Sequence, residues 1–265
     1  MSEDVTQPAV AAPPPMIELI GLKKAFGAQE VLRGIDLTVP PGTTTVILGG
    51  SGQGKSVLMK HMIGLEEPDA GEVRINGRNL VGLKGEALNE VRSDFGMVFQ
   101  SAALFDSMSV FDNVAFPLVE RTKMGRREIA ERVRAKLHLF GLDPSVEPKF
   151  PATLSGGMRK RVGLARAVIL DPKIVLYDEP TTGLDPLTTD SVDEMIVHAK
   201  QVLGVTSVVI SHDISSAFQI ADQICFLHGG KIVEAGPPDK VRQSQHPQVR
   251  RFLASWFEGQ PGGAN

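Results

Sequence analysis

Short apolar segments separated by Gly and Pro dominate the first part of the chain. Apolar and polar positions alternate, or apolar positions run together, in the segments MIELIGLKKAF, IDLTV and TTTVILGG. Runs of this length between turn-forming residues predict β-strands. The segment GEVRINGRNL follows, and its Asn76-Gly77 pair is typical of a tight turn between antiparallel strands. Residues 16–77 are therefore predicted to be rich in strands.

A helical period of apolar residues replaces the strand pattern in two places. The first is the short segment GKSVLMKHMIGL, with apolar residues near helical spacing at Val57, Leu58, Met62 and Leu65. The second is longer, and its clearest stretch, REIAERVRAKLHLFGL, has apolar residues three or four positions apart at Ile129, Val133, Leu137 and Phe140. Such spacing places side chains on one face of a helix. Residues 101–167 are therefore predicted to be mostly helical.

Strand and helix patterns alternate in the rest of the chain. KIVLYDEP and TSVVISHD contain the continuous apolar runs of buried strands, whereas PLTTDSVDEMIVHAKQVL and DISSAFQIADQI have a helical pattern. ICFLHGGKIVEAG predicts a closing hairpin. Alternation of buried strands with helices is typical of an α/β fold with a parallel sheet. The predicted order is a β-rich start, an α/β core, a helical insertion and a return to the core.

Composition and charge narrow the class of protein. The 265 residues are 42% hydrophobic and 22% charged, which suits one large globular domain or one domain with an inserted subdomain. The net charge of −3 does not favour a general nucleic-acid binder, and we expect no nucleic-acid partner. Cys225 is the single cysteine and lies in an apolar run. It fits a reducing compartment and is predicted to be a small buried side chain rather than a reactive thiol.

The sequence offers neither a membrane span nor a secretion signal. No apolar run approaches the roughly 18–20 residues that a membrane helix needs. The first residues, MSEDVTQPAVAAPPP, lack the basic start and apolar centre of a signal peptide, and their Pro/Ala content predicts a disordered tail over residues 1–15. We expect a soluble cytoplasmic protein whose membrane role, if it has one, is exerted through a partner.

A glycine-rich loop connects the predicted strand TTTVIL to the predicted helix that follows it. The loop fits the pattern G-x-x-x-x-G-K-[ST], whose glycines let the backbone wrap a chain of phosphates. Lys55 is expected to reach the β and γ phosphates, and the Ser56 hydroxyl suits Mg²⁺. The candidate nucleotide-binding residues of this segment are Gly49, Gly50, Ser51, Gly52, Gln53, Gly54, Lys55, Ser56 and Val57.

Polar side chains follow three of the predicted strands. Asp178 and Glu179 come at the end of KIVLY, His212 follows SVVIS, and Gln100 closes FGMVF. Ligand sites of open α/β sheets lie at the carboxyl ends of strands. Asp178 is therefore a candidate Mg²⁺ ligand, with Gln100 and Ser56, and Glu179 is a candidate general base. His212 is a candidate sensor of the γ-phosphate, although a lone histidine at a strand end is more often a structural hydrogen-bonding group.

A second anion cradle lies far from the first along the chain. Ser155, Gly156 and Gly157 open the helical segment LSGGMRKRVGLARA. Free backbone N–H groups and the positive end of a helix dipole favour an anion at such a position. One modest chain thus carries two candidate phosphate sites and a single set of candidate catalytic groups: Lys55, Glu179, His212 and Gln100.

Six short segments, taken together and in their order along the chain, resemble the nucleotide-binding subunit of an ATP-binding cassette (ABC) transporter. They are GGSGQGKS, VFQ, LSGGM, LYDEP, GLD and SHD. The resemblance covers about residues 16–237. It implies an α/β P-loop NTPase fold with a RecA-like core, an antiparallel β subdomain and an inserted helical subdomain. It also implies ATP and Mg²⁺ as cofactors, Phe26 as the aromatic residue that stacks on adenine, and Asp185 as the acidic residue of a loop at the dimer contact.

The same resemblance accounts for the two cradles. In the family, two chains pack head to tail, and the Ser155-Gly156-Gly157 segment of one caps the nucleotide of the other. The contact is self-complementary, so each chain contributes half of each of two sites. We therefore expect a homodimer bound to an integral membrane permease. Hydrolysis removes the bridging phosphate and weakens the dimer, which turns chemistry into an opening and closing motion.

Two departures from the commonest family sequence indicate a subgroup. Met158 follows the signature glycines where most members have Gln, and the loop before Asp185 reads TTGLD. With FQSAALFDSMSVFDNVAFPL, these features resemble the ATPases of lipid transporters that work with MCE-domain proteins, the Mla-type phospholipid systems of the bacterial envelope. The resemblance implies phospholipid transport, an MCE-domain partner and a peripheral position on the cytoplasmic face of the inner membrane. The rival functions are the ATPase of a small-solute importer or exporter, and a cell-division or scaffold ATPase.

Two apolar segments have alternative interpretations. Residues 104–118 are either part of the helical subdomain's core or a groove for a helix of the permease. The C-terminal segment HPQVRRFLASWFEG has one apolar stripe that packs on its own domain, docks on a sister subunit or another partner, or contacts a membrane surface; the stripe comprises Val249, Phe252, Leu253, Trp256 and Phe257. The predicted division of the chain is a tail at 1–15, an ABC ATPase domain at 16–240 with the helical subdomain at about 101–167, and a C-terminal helix and tail at 241–265.

Overall fold

A computed structural model describes residues 14–257, without the side chains of Ser255 and Phe257. Most of the predicted N-terminal tail, at residues 1–13, and the last residues, 258–265, lie outside the described residues. The same holds for the Phe257 side chain of the C-terminal stripe.

The described strands form two sheets. The first is antiparallel with the order β2-β1-β4-β5, and it contains β1 (Ile17–Phe26), β2 (Gln29–Val39), β4 (Ala70–Ile75) and β5 (Arg78–Asn79). The second has the order β10-β9-β3-β8-β7-β6, and it contains β3 (Thr44–Leu48), β6 (Phe95–Val98), β7 (Ile174–Asp178), β8 (Thr206–Ser211), β9 (Gln223–His228) and β10 (Lys231–Gly236). Its strands are parallel except for the β9–β10 hairpin.

Most of the helices flank the second sheet or form a separate group between β6 and β7. The flanking helices are α1 (Lys55–Met62), α6 (Pro186–Leu203), α7 (Ile214–Ile220), α8 (Pro238–Arg242) and α9 (Pro247–Phe257), and the short helix α2 (Gly85–Arg92) lies against the segment that follows α1. The separate group is α3 (Val110–Arg121), α4 (Arg126–Leu139) and α5 (Gly156–Ala167). Together the two sheets and this helical group give the α/β fold with an antiparallel β subdomain and an inserted helical subdomain that the sequence predicts.

The second sheet is buried on both faces at its centre. Every residue of β3 and β8 is buried, and so is every residue of β7 except its last, Asp178. Because these strands are parallel neighbours, their last residues lie at one edge of the sheet. These residues are Leu48 of β3, Asp178 of β7 and Ser211 of β8. The segments that follow the three strands, which carry the candidate site residues, are thereby brought together.

The described helices differ from the sequence pattern in a few places. Helix α7 ends at Ile220, earlier than the pattern predicts, because Gln223 already pairs with Thr45 of β3. Helix α2, which buries only Val91, and helix α8 have no clear pattern in the sequence. In the described part of the chain, no helix combines the length and apolar character needed to cross a membrane.

The core contains Cys225 and much of the C-terminal stripe. Cys225 is fully buried in β9, and burial raises the pKa of its thiol to about 12. The thiol therefore stays protonated and packs like a small apolar side chain. In α9, Val249 and Leu253 are buried, and Phe252 and Trp256 pack partly buried against the same core. The ring of Trp256 stacks on Phe218 of α7 at 5.3 Å. The four described side chains of the stripe therefore pack on their own chain.

Candidate functional site

The glycine-rich loop forms the floor of a cleft of about 710 Å³ between β3 and α1. Two of its glycines are required by close packing. A Cβ on Gly49 would lie 2.5 Å from the carbonyl oxygen of Leu227, and Gly54 has φ +99° with Val31 only 3.0 Å from a Cβ position. Gly54 directly precedes α1, and the first three residues of this helix, whose N–H groups have no partner within the helix, line the cleft. The cleft is lined by Val31, Gly50, Ser51, Gly52, Gln53, Gly54, Lys55, Ser56, Val57, Gln100, Glu179, Thr182, His212 and Phe252.

Lys55 is enclosed by the loop that precedes it. Its side chain is 8% exposed, and its Nζ donates to the carbonyl oxygens of Gly49 at 2.8 Å and Gly50 at 3.1 Å. The same Nζ lies 3.3 Å from Oε1 of Glu179. A nearly buried ammonium with these neighbours places a fixed positive charge at the loop, where an anion is favoured.

Glu179 is held in an unusual conformation immediately after β7. Its φ of +50° lies in the left-handed region, which costs a residue other than glycine about 1–3 kcal/mol. Three contacts fix the residue: its N–H donates to Ile210 at 2.9 Å, Thr182 Oγ1 donates to Oε2 at 3.0 Å, and Nδ1 of His212 lies 2.6 Å from Oε2. The carboxylate is therefore aimed into the cleft by the segments that follow two neighbouring strands.

The remaining polar candidates lie around the same opening. Gln100 and Ser56 line the cleft, and Asp178 precedes Glu179 at the end of β7. Burial, with a further contribution from the Glu179 charge, raises the pKa of the Asp178 carboxyl. The charged form of Asp178 is thus disfavoured by its surroundings, and a bound cation would stabilise it. Hydroxyl, amide and carboxylate oxygens are ligands that Mg²⁺ prefers.

Phe26 does not line this cleft. It ends β1 with 48% of its surface exposed, and the ammonium of Lys24 lies 5.3 Å from its ring centroid. Val31 and Phe252 are the apolar side chains that face the loop, beside Val57. Stacking of Phe26 on a base stays a prediction.

The second predicted cradle lies in a different cleft, of about 760 Å³. Ser155 caps α5, since its Oγ accepts from the N–H of Met158 at 3.2 Å. Asp185 caps α6 in the same way and accepts from Thr188, which lowers the pKa of its carboxyl. Both helix starts, with Gly156 and Gly157, line this second cleft. One chain therefore presents a cleft with the candidate catalytic groups and another with Ser155 and Asp185.

Sequence reasoning missed two residues that organise the first cleft. Thr182 orients Glu179, and Lys160 of α5 donates to the carbonyl oxygens of Gln100 and Pro180. Thr182 lies in the segment TTGLD, only three residues after Glu179. This short separation in sequence indicates that the two side chains can be in contact. Lys160 binds backbone atoms of residues that are distant in sequence, and no local sequence pattern predicts such contacts.

Comparison with known proteins agrees with this geometry. The sequence model described as ABC transporter matches residues 32–182. The probable ribonucleotide transport ATP-binding protein mkl of Mycobacterium bovis is 43% identical over 237 residues, which are 89% of this chain and 66% of that protein. The chain thus spans about two thirds of the length of this longer relative. The intermembrane phospholipid transport system ATP-binding protein MlaF of Escherichia coli is 40% identical, covering 92% of this chain and 90% of MlaF.

A solved structure has the same fold. The dimeric post-hydrolysis state of the ATP-binding cassette MJ0796 bound to ADP and Pi superposes with a TM-score of 0.75 at 30% identity, covering 84% of this chain and 99% of that one. The family model extends from β2, through the glycine loop and the cradle at Ser155, to Thr182 beside Glu179. The resemblance and the fold class predicted from the sequence are confirmed, and the chain belongs to the ABC transporter family.

Proposed function

We propose that this protein is the ATP-hydrolysing subunit of a membrane transporter that moves phospholipids. One observation supports the hydrolytic part most strongly: Lys55, Glu179 and His212 converge on a glycine loop at the carboxyl edge of a parallel sheet. This edge is where open α/β folds bind their ligands.

The residues present fit ATP and Mg²⁺. The start of α1 and the ammonium of Lys55 favour the phosphates. A Cβ on Gly52 would meet nothing within 4 Å and one on Gly50 only Cγ of Gln53 at 3.9 Å, so a phosphate chain can approach the backbone. Ser56, Gln100 and Asp178 supply hydroxyl, amide and carboxylate oxygens for the ion. When bound, Mg²⁺ neutralises charge that develops on the phosphate oxygens.

The reaction follows from the placement of Glu179. A water between the Glu179 carboxylate and the γ-phosphate loses its proton to the carboxylate while it attacks phosphorus. The bond from phosphorus to the bridging oxygen of the β-phosphate breaks at the same time, and that oxygen leaves with ADP. His212 and Thr182 hold that carboxylate in place through Oε2, and Lys55 binds the phosphates. Gln100, two residues after β6, contacts Mg²⁺ or the attacking water through its amide, and His212 senses the γ-phosphate.

Two clefts in one chain support a homodimer. The second cleft has helix starts at Ser155 and Asp185 but lacks a lysine and a carboxylate arranged as in the first. Head-to-tail packing of two chains places the first cleft of each against the second cleft of the other, as the self-complementary contact of a two-fold dimer requires. Gly156 and Gly157 then leave room for the partner's nucleotide.

The transporter part of the proposal concerns cargo and partners. The relation to MlaF, which extends over nearly the whole length of both proteins, supports phospholipid as cargo. An MCE-domain protein is the partner that the resemblance of residues 99–118, Met158 and the loop before Asp185 to the Mla-type ATPases implies. An integral membrane permease supplies the membrane path, and this subunit lies on the cytoplasmic face of the inner membrane. We also propose that residues 16–240 act as the ATPase domain, with residues 101–167 as the subdomain that contacts the permease.

A second candidate function is transport of a small solute. The name of the mycobacterial relative, which refers to ribonucleotide transport, favours this alternative. The chain corresponds to 66% of that relative, so the comparison supports this cargo less than MlaF supports phospholipid.

The test is purification of the tagged full-length chain in detergent from cells that produce it. The expected result is copurification of a multi-span permease, an MCE-domain protein and phospholipid, with ATP hydrolysis that Lys55→Ala abolishes. A solute permease with a periplasmic binding protein contradicts the phospholipid assignment alone. Failure of the complex to hydrolyse ATP contradicts the enzymatic assignment.

A further inference from the structure

One face of α5 holds the segment that follows β6. Lys160, Gly163 and Arg166 are three residues apart, so they lie along one side of this helix. Lys160 and Arg166 each donate to a carbonyl oxygen of the segment 99–105, and Gly163 lies against the same segment. Helix α5 is also the helix that begins at the cradle formed by Ser155.

Lys160 makes the most demanding of these contacts. It is 7% exposed, and its Nζ donates to the carbonyl oxygen of Gln100 and, at 2.7 Å, to that of Pro180. Among the described residues, no carboxylate lies within salt-bridge distance of this ammonium. A buried charge is costly unless its hydrogen bonds are made, so the two carbonyl groups are held firmly against it. Gln100 lines the nucleotide cleft, and Pro180 directly follows Glu179.

The segment held in this way has an unfavourable backbone conformation. Ala102 and Ala103 have φ angles of +60° and +45°, a conformation that residues with a Cβ rarely adopt. Arg166 Nη2 donates to the carbonyl oxygen of Ala102 at 2.8 Å. A Cβ on Gly163 would lie 2.9 Å from Cβ of Ala102, so the glycine makes the close approach possible. The conformation around Gln100 therefore depends on α5.

We propose that Lys160 is a positioning residue that fixes the backbone of Gln100 and of Pro180 to the helix carrying the second cradle. The proposal rests on the proposed hydrolysis of ATP. Its consequence is that the catalytic carboxylate of Glu179, the amide of Gln100 and the cradle for the partner's nucleotide move together within one chain. Loss of Lys160 misplaces Glu179 and Gln100 without altering the glycine loop that binds the phosphates.

The experiment compares the full-length chain with Lys160→Met, Lys160→Arg and a control, Lys136→Met. Methionine keeps the apolar part of the lysine side chain but has no hydrogen-bond donor, whereas arginine keeps a positive charge and N–H donors. Lys136 lies on α4 of the helical subdomain and does not line the nucleotide cleft. Its side chain is 14% exposed and pairs with Asp171. The readouts are hydrogen–deuterium exchange of the nucleotide-free chain over residues 99–104 and 179–182, and kcat and KM for ATP.

In Lys160→Met, exchange should rise in both segments and kcat should fall at least about tenfold, because small displacements of catalytic groups are costly. The KM for ATP should change less than about threefold, since binding at the glycine loop is unaffected. Lys160→Arg should recover a large part of kcat, and Lys136→Met should behave as the parent. Parental exchange and kcat in Lys160→Met overturn the proposal, as does a KM that rises in proportion to the loss of kcat.

A second variant keeps the test decisive if Lys160→Met does not fold. Gly163→Ala pushes the same segment away from α5 while favouring the helix itself. It should raise exchange over residues 99–104 and lower kcat, and parental values for both overturn the proposal. If the parent chain fails to hydrolyse ATP, the proposed function fails, while the exchange measurements on nucleotide-free protein still decide the positioning role.

Discussion

Nδ1 of His212 lies 2.6 Å from Oε2 of Glu179, so the ends of two neighbouring strands meet in one hydrogen bond. The opposite carboxylate oxygen, Oε1, faces Lys55 Nζ at 3.3 Å. The ammonium thus contacts both the glycine loop and Glu179. Phosphates that bind at Lys55 compete for the ammonium, and His212 and Thr182 then keep the carboxylate directed into the cleft.

Glu179→Gln should bind ATP but hydrolyse it at least about a hundredfold more slowly, the usual contribution of a general base. The amide keeps the shape of the side chain and its contact with Thr182, but it cannot accept a proton from water. The variant should accumulate as an ATP-bound dimer, measured by size-exclusion chromatography. Glu147→Gln, which alters a surface ion pair with Arg134, is the control and should retain its activity. Near-normal turnover of Glu179→Gln removes the role of Glu179 as base.

Ser155→Arg should leave ATP binding by the single chain intact and abolish ATP-driven dimerisation. The substituted side chain fills the entrance to the second cleft, whereas the glycine loop belongs to the first. Nucleotide affinity is measured with a fluorescent ATP analogue, and dimerisation by sedimentation with Glu179→Gln as background. Ser93→Arg introduces the same charge at an exposed position and should dimerise normally. A collapse of nucleotide affinity in the monomer contradicts the head-to-tail arrangement.

Local signals in the sequence explain why much of this site was predictable. The glycine loop lies between a strand and a helix that are adjacent in the chain, and α6 has an Asp185 cap at its start and Gly204 in the left-handed conformation at its end. Both signals are encoded within a few residues. The fold class followed from the alternation of such elements.

The rest depended on contacts between distant residues. Helix α7 was predicted too long because pairing of β9 with β3 takes Gln223 out of the apolar pattern that follows Asp213. The role of Lys160 was missed because its acceptors are carbonyl groups of Gln100 and Pro180, 60 and 20 residues away. Every residue has a backbone carbonyl group, so the residue types in the sequence do not show which of these groups accepts a hydrogen bond.

Asp193→Asn should stabilise the protein at pH 7.5. Asp193 is 1% exposed, and its Oδ1 accepts from Ser216 at 2.6 Å, while Oδ2 has no hydrogen-bond partner among the described residues. Burial foremost, with the charges of Asp213 and Asp190, raises its pKa to about 6. The charged form is thus disfavoured in the folded state, and above pH 6 it costs roughly 3 kcal/mol of stability.

The sign of this effect sets the pH dependence. As pH falls through 6 toward 4, the folded chain takes up a proton that the unfolded chain does not, so this destabilising contribution disappears. The advantage of Asp193→Asn in urea unfolding should therefore be largest at pH 7.5, fall to roughly half of that value at pH 5 and be lost below pH 4. Glu194→Gln, exposed on the same helix, is the control and should show no such difference. A variant less stable than the parent at pH 7.5 contradicts the prediction.

Leu253→Ala should lower the free energy of unfolding by about 2–4 kcal/mol, the usual cost of truncating a buried leucine. Leu253 is 2% exposed and packs with Val249 into the main core, and Trp256 stacks on Phe218 beside it. Arg251→Ala, at an exposed position of α9, is the control and should be neutral. If stability is unchanged while assembly of the complex weakens, α9 docks on a partner and does not depend on its own core.

Phe105→Asp should release the permease while leaving the ATPase activity of the isolated chain intact. Phe105 is 42% exposed and lines a groove of about 380 Å³ beside Phe99 and Phe116, just beyond Gln100. Its ring packs on Phe116 at 5.0 Å, and the guanidinium of Arg166 lies 5.6 Å from its centroid. Because the ring is partly exposed and Arg166 can pair with the introduced carboxylate, the fold should survive the substitution.

The groove suits an apolar helix from the permease, since exposed aromatic rings in a concave surface are favourable anchors. A carboxylate at its centre must be desolvated when such a helix binds, and the contact becomes unfavourable. Val202→Asp places the same charge on an exposed apolar residue of α6, which does not line the groove, and it should leave copurification unchanged. If both variants retain the permease in a pull-down, the permease binds elsewhere, and residues 104–118 serve mainly as the core of the helical subdomain.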